Sequence, residues 1–260
     1  MTIAVMTLSE QGVRLAKFLA QSLPEVAVYV HQSVAAPQEA TLFSSISDLT
    51  AQMFHQVTGL VYIAPCGVAV RAVAPHVRHK TTDPAVVVVD AGGRWAVSLL
   101  SGHEGGANDL AVAVGNCLGA EPVITTTTEA VKRFIVGIGC RRGVDARKIV
   151  DAVTSTLSDA DLDVAQVRLL CSVDLKRNEQ GLLDAARILG IPLRFLGSNE
   201  IRESPRTFQS SQFVEEQVNL PAVAEPCALL AGRRTKLLIP RRICNGVTVA
   251  VAEENSLSWE

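Results

Sequence analysis

Hydrophobic positions along the chain fall mostly into short unbroken runs separated by segments of helical period. Ile3–Met6, Val26–Val30, Leu60–Ala64, Ala85–Val89 and Trp95–Leu99 read as strands, with a last short one at Val123–Thr125. The all-aliphatic run Ala85–Val89 predicts a strand buried on both faces. Between them, Ser9 can cap a helix running to about Gln21, with Val13, Ala16 and Leu19 among its apolar positions. Further helices are predicted over Ile46–Gln56, from Pro65-Cys66-Gly67 through Val73, and over Asn108–Leu118. The alternation restarts at Phe134–Ile138. A helix from about Asp145 to Leu157, a strand Val167–Ser172, a helix Gln180–Leu189 and a strand Leu193–Phe195 follow. Helices over Gln212–Val218 and Val223–Leu230 and a closing β-pair, Lys236–Ile239 with Val247–Ala252, complete it. Strands alternating with helices predict two α/β domains with mostly parallel, helix-flanked sheets. The domains are expected at 1–125 and 134–260, joined by a Thr-rich linker at 126–133.

Composition narrows the classes of function. Hydrophobic residues are 48% of the 260 and aromatics only 4%, which suits compact α/β packing and not base stacking. The formal net charge is −2, so no global field attracts a polyanion, and any anion site has to be a local cluster. The six cysteines lie far apart, with no C-x-x-C pair, and read as reduced structural thiols of a cytoplasmic protein. Neither a signal peptide nor a membrane span is expected.

The densest chemistry lies in Leu100-Ser-Gly-His-Glu-Gly-Gly-Ala-Asn108, between a strand and a helix. His103 suits general base work near neutral pH, and Glu104 is its assistant or orienter. Ser101, Asn108 and the backbone N–H groups of Gly105 and Gly106 can stabilise an oxyanion. Gly102 lets the chain turn tightly. A serine nucleophile is disfavoured, because no G-x-S-x-G elbow occurs. The bland alternative is a glycine-rich turn whose histidine caps backbone.

Three other groupings stand out. Arg71, Arg78 and Lys80 cluster beside His76 and His79 and can grip carboxylates, or simply form a solvated face. No third metal ligand stands at a recognisable spacing, so no metal site is expected. Gly137-Ile-Gly-Cys-Arg-Arg-Gly143 follows a strand as a dinucleotide loop would, but is one residue longer than that fingerprint. Arg141 and Arg142 at the next helix start favour an anionic ligand. Lys176 and Glu179 are expected at the carboxyl end of their strand, where open α/β sheets bind ligands, or else as an exposed i,i+3 ion pair. Glu225, before Pro226, reads as a helix cap or as a residue facing the cleft.

The ordered motifs Gly67-Val-Ala-Val-Arg71, Ala74-Pro75, Lys80, Asp83-Pro84 through Asp90, Leu99 to Asn108 and Thr125-Thr126 resemble the amino-terminal region of the cobalamin-biosynthesis CbiG family. Val136 to Gly143, Lys176 with Glu179, Val223 to Leu230 and Val247 to Ala250 resemble its second half. The likeness covers most of residues 55–252. Many family members carry an extra segment between the halves, whereas here Thr125 runs almost directly into Phe134. Asn219-Leu220 stands where the family usually has a Gly-containing turn, and Pro240 is expected to interrupt the closing strand.

The resemblance implies a cobalt-precorrin-5A hydrolase, which opens a δ-lactone and releases acetaldehyde. It implies no cofactor, the cobalt being carried by the substrate. His103 and Glu104 would then be catalytic, with Ser101 and Asn108. Gly67, Arg71, Lys80, Gly102, Gly105, Gly106, Arg141, Arg142, Lys176 and Glu179 would hold the carboxylate-rich macrocycle. Expected partners are cobalt-precorrin-5A and neighbouring cobalamin-pathway enzymes, with a homodimer allowed and neither nucleic acid nor membrane involved. A non-enzymatic tetrapyrrole carrier and a nicotinamide-dependent oxidoreductase are the alternatives.

Overall fold

The computed structural model describes residues 2–206, 208 and 222–256. The expected helix Gln212–Val218 and the turn at Asn219-Leu220 lie outside them. The chain divides into two units, one ending at Thr126 and one beginning at Thr127.

The first unit is built on seven strands: β1 (Ile3–Thr7), β2 (Val26–His31), β3 (Thr41–Phe43), β4 (Gly59–Ile63), β5 (Ala85–Val89), β6 (Trp95–Leu100) and β7 (Glu121–Val123). Their order is β3-β2-β1-β4-β5-β6-β7. All neighbours run parallel except β5 and β6. Alternation along β1 explains the layering. Ile3 and Val5 face α1 (Glu10–Ser22) and α4 (Ala107–Leu118), packing with Leu19, Leu110 and Val114. Ala4 and Met6 face α2 (Ile46–Met53) and α3 (Cys66–Val73), packing with Leu49, Phe54 and Val73. β1, β4 and β5 are buried along their whole length, as their near-continuous apolar runs require. Burial pushes the Tyr62 hydroxyl up to about 12, against the opposing effect of its 2.8 Å hydrogen bond with Thr50.

The antiparallel β5–β6 pair has a local cause. Asp90 accepts the backbone N–H groups of Arg94 at 2.7 Å and Trp95 at 2.9 Å, closing a turn too short for a crossover. Reversing β6 places its end, Leu100, opposite Val86 at the start of β5.

The second unit orders its strands β10-β9-β8-β12-β11: β8 (Phe134–Cys140), β9 (Val167–Val173), β10 (Leu193–Leu196), β11 (Lys236–Cys244) and β12 (Val247–Glu253). β8, β9 and β10 are parallel, and β12 and β11 join antiparallel, so this sheet is mixed. α6 (Ala146–Ser158) and α7 (Gln180–Leu189) cover Val136, Ile138 and Leu170. α8 (Ser198–Arg202) and α9 (Ala224–Leu230) cover Ile135, Leu169 and Val173.

Pro240 does not end β11. The strand runs through it with register shifts between Leu237 and Ile239 and between Ile239 and Arg242, which an edge strand tolerates. The Arg241 N–H in this irregular stretch donates at 2.9 Å to Glu225, which is buried, so Glu225 serves the strand and not a helix end. The expected linker 126–133 also carries structure. Thr127–Ala130 is a short helix, α5, and Lys132 pairs with the buried Glu129 at 2.8 Å.

Candidate active site

The residues around His103 are held by contacts their own sequence supplies. Asn108 opens the first turn of α4 with its side chain buried. Its Oδ1 accepts from Ser98 Oγ at 2.8 Å and its Nδ2 donates to Thr126 Oγ1 at 3.0 Å. Asn108 therefore braces the turn from beneath, its amide oxygen and one amide N–H engaged with Ser98 and Thr126 where an oxyanion contact was expected. A Cβ at Gly102 would lie 2.6 Å from the Thr126 methyl, so the chain closes over this brace only with glycine there. A Cβ at Gly105 would overlap the Ser101 side chain and lie 2.9 Å from the Ser101 carbonyl oxygen and 3.1 Å from that of Asp83. Gly106 takes φ +84, the left-handed conformation that starts α4.

Lys80 and Glu104 also meet, but as an ion pair. The ammonium nitrogen is 2.5 Å from Glu104 Oε1. Chiefly through that hydrogen bond, and with His103 contributing, the Glu104 carboxyl is held below its ordinary value. Glu104 is thus an ionised tie between the 79–83 turn and the 101–106 turn, and Lys80 is engaged with it. Exposed pairs of this kind contribute little, so Glu104→Gln is expected to reduce turnover by less than about tenfold; a larger loss would give Glu104 a proton-transfer role. His103 itself is exposed and makes no hydrogen bond among the described residues.

Gly67 and Arg71 are placed elsewhere. Arg71 Nη1 donates to the Gly67 carbonyl at 2.9 Å, folding back along α3 into the room a Cβ would take. Gly67 lies past Ile63, which pairs with Val89 at the far end of β5, whereas Asp83 and Leu100 lie at its start. Five residues of strand, about 16 Å, separate the two edges of the sheet. The pair is not part of the His103 turn. His76 packs against Phe54, and His79 bonds Thr81 at 2.8 Å. No three His, Cys, Asp or Glu side chains among the described residues gather as metal ligands.

In the second unit the glycine pattern resolves into two uses. Gly137 and Gly139 lie inside β8, where Gly137 lets α9 approach; only Gly143 lies in the turn, at φ +73. Glu179 Oε1 accepts the Gly143 N–H at 2.8 Å, and its other oxygen is 3.6 Å from Lys176. Asp145 caps α6 through the Arg147 N–H at 2.8 Å. The chain's own carboxylates thus occupy the donors an anionic cofactor would use, and Glu179 staples a loop where a substrate contact was expected. The Arg141 stem lies over Gly246, and Arg142 is exposed. Burial pushes the nearby Cys140 thiol up to about 11, Lys176 opposing and Glu179 adding to the rise. Removing the staple with Glu179→Ala is expected to speed hydrogen exchange at the Gly143 amide about tenfold, the worth of one charge-assisted bond. Unchanged exchange would show that the bond does not order the loop.

Sequence reasoning passed over Asp83. It was legible as part of the Asp83-Pro84 motif, but nothing in the spacing singled it out. In the structure it is 4% exposed and accepts the Arg78 N–H at 2.8 Å.

The family model described as Cobalamin synthesis G N-terminal matches residues 48–129, and that described as Cobalamin synthesis G C-terminus matches residues 134–252. The cobalt-precorrin-5A hydrolase of Salmonella typhimurium is 27% identical, over 88% of this chain and 91% of that protein. The cobalt-precorrin-5A hydrolase of Priestia megaterium is 25% identical, over 96% and 94%. These alignments run to 321 and 352 residues, longer than the 260 here, so both relatives carry positions this chain lacks. The solved structure of CobE, a protein from the cobalamin (vitamin B12) biosynthetic pathway, is 32% identical over 47% of this chain and 90% of that one, with a TM-score of 0.44. With both halves matched, in order and over most of its length, the chain belongs to the cobalamin synthesis G (CbiG) family.

Proposed function

We infer that this chain is a cobalt-precorrin-5A hydrolase, and that the 101–106 turn carries the reaction. The observation that carries the site is an exposed imidazole, His103, on a turn braced by Asn108, Gly105 and the Lys80–Glu104 pair. A rigid support under a reactive group is what positioning requires.

The chemistry has two stages. Water adds to the lactone carbonyl carbon, the ring C–O bond breaks, and the departing alkoxide takes a proton, leaving a carboxylic acid and a hydroxyl. The hydroxyl proton is then removed, the C–C bond to the macrocycle breaks, and acetaldehyde leaves. The freed electron pair enters the macrocycle, which takes up a proton. A single base that accepts a proton and returns it serves both stages, and His103 is assigned that part. Backbone N–H groups of Gly105 and Gly106 would face the oxyanion. The cobalt belongs to the substrate.

The test is direct. The purified protein is incubated with cobalt-precorrin-5A, and acetaldehyde is trapped and quantified beside the mass of the tetrapyrrole product. Stoichiometric acetaldehyde with a lactone-opened product supports the reading. Tight binding without acetaldehyde would make the chain a carrier.

A further inference from the structure

Two buried oxygens lie where the 78–84 and 101–106 turns meet, and neither has a hydrogen-bond partner among the described residues. They are Asp83 Oδ1 and Ser101 Oγ, on residues 4% and 5% exposed. Buried polar atoms are nearly always paired, by protein or by water. The other Asp83 oxygen is anchored by the Arg78 N–H, which fixes the carboxylate in place.

Ser101 is also strained. It takes φ +60, in the left-handed region that glycine enters freely. The same turn uses glycine at Gly106 for its other positive φ, yet keeps a hydroxyl at this one. Strain of this kind persists where surrounding structure over-determines it, often at functional sites. Gly105 brings the two residues together, because only a bare Cα fits between the Ser101 side chain and the Asp83 carbonyl oxygen. The Lys80–Glu104 pair ties the same two turns from outside. Beyond Gly106 nothing lies within 4 Å of where a Cβ would stand.

We propose that Asp83 and Ser101 hold the water that opens the lactone, Asp83 being a positioning residue of the site. The inference rests on the hydrolase reading above. An ionised carboxylate is an acceptor only, so Asp83 Oδ1 takes one O–H of the water while the Ser101 hydroxyl bonds its oxygen. Two fixed partners are the minimum that orders an internal water. The second O–H faces His103. As the water oxygen bonds to the carbonyl carbon, that proton passes to the imidazole, which delivers it to the leaving ring oxygen.

The test compares wild type, Ser101→Gly, Asp83→Asn and Asp83→Ala with cobalt-precorrin-5A, alongside their melting temperatures and a high-resolution crystal structure of wild type. Ser101→Gly relieves the strained φ, so its melting temperature is expected to equal or exceed that of wild type. Its kcat is nonetheless expected to fall about tenfold or more with KM unchanged, the signature of a misplaced reactant. Asp83→Ala is expected to lose about 100-fold in kcat, and Asp83→Asn, which keeps an acceptor oxygen, to recover part of that loss. The crystal structure is expected to show one water bonded to both residues.

Normal kcat in Ser101→Gly and Asp83→Asn overturns the proposal and leaves the hydrolase reading standing. So does a direct Ser101–Asp83 hydrogen bond with no water between them, or a Ser101→Gly loss accompanied by a fall in stability. Should Asp83→Ala fail to fold, Ser101→Gly decides. A wild type that releases no acetaldehyde overturns both.

Discussion

Replacing His103 with alanine is expected to slow acetaldehyde release from cobalt-precorrin-5A by roughly 10²–10⁴-fold, the usual worth of a positioned general base. The fold is expected to be untouched. His103 is exposed and makes no hydrogen bond among the described residues, whereas the turn around it is fixed by Asn108, Gly105 and the Lys80–Glu104 tie. Structural and chemical effects are therefore separable at this position, which is uncommon in a glycine-rich loop. KM should stay close to the wild-type value, since a general base acts in the transition state and not on substrate binding. Glutamine at 103 supplies a similar polar volume without a proton-accepting nitrogen, and it should be no better than alanine. Turnover of the alanine variant within about threefold of wild type would exclude the imidazole from the rate-limiting step. In that case the Asp83–Ser101 water would need another acceptor for its proton.

What could be read from the chain, and what could not, follows from the range of the forces involved. The strands with unbroken aliphatic runs and the helix capped by Ser9 were legible because period and capping are local; Ser9 does accept the Gly12 N–H, at 3.1 Å. The direction of β6 depends on how the Asp90–Gly93 turn closes, and it moves the His103 turn to the edge of the sheet opposite Gly67 and Arg71. A reading that collects polar residues by sequence proximity cannot see such a reversal. Three-residue β3 and five-residue α8 are too short to leave a periodic trace. Glu179 and Asn108 were recognisable as unusual polar residues, yet whether such a residue meets a ligand or its own backbone depends on long-range packing. Asp83 illustrates the converse. An aspartate before proline reads as turn chemistry, and only burial with one oxygen unpartnered marks it out.

The largest effect on stability is expected from Gly137→Ala. Residues of β8 alternate between two helical layers, with Val136 and Ile138 toward α6 and Ile135 toward α9. Gly137 faces the α9 side as well. A Cβ there would fall on the Ala224 carbonyl oxygen and lie 2.6 Å from the Ala228 nitrogen. Both atoms are backbone of the helix, so no rotamer change relieves the clash; the helix must move as a body away from β8. Doing so would uncover Cys227 and Ala228, now fully buried, and draw Glu225 from the Arg241 N–H it accepts in β11. Overpacking that only a backbone shift can absorb costs about 3 kcal/mol or more, which for a unit of this size lowers the melting temperature by roughly 10 °C. Gly190→Ala is the matched control. Gly190 closes α7 at φ +64 with nothing within 4 Å of a Cβ, so alanine there meets backbone strain alone, about 1 kcal/mol. Urea unfolding of both variants, with hydrogen exchange followed in β8 and α9, separates the two causes. If Gly137→Ala proves no more destabilising than Gly190→Ala, the bare Cα of Gly137 is not what lets α9 approach, and a ligand role for the Gly137–Gly143 segment would return.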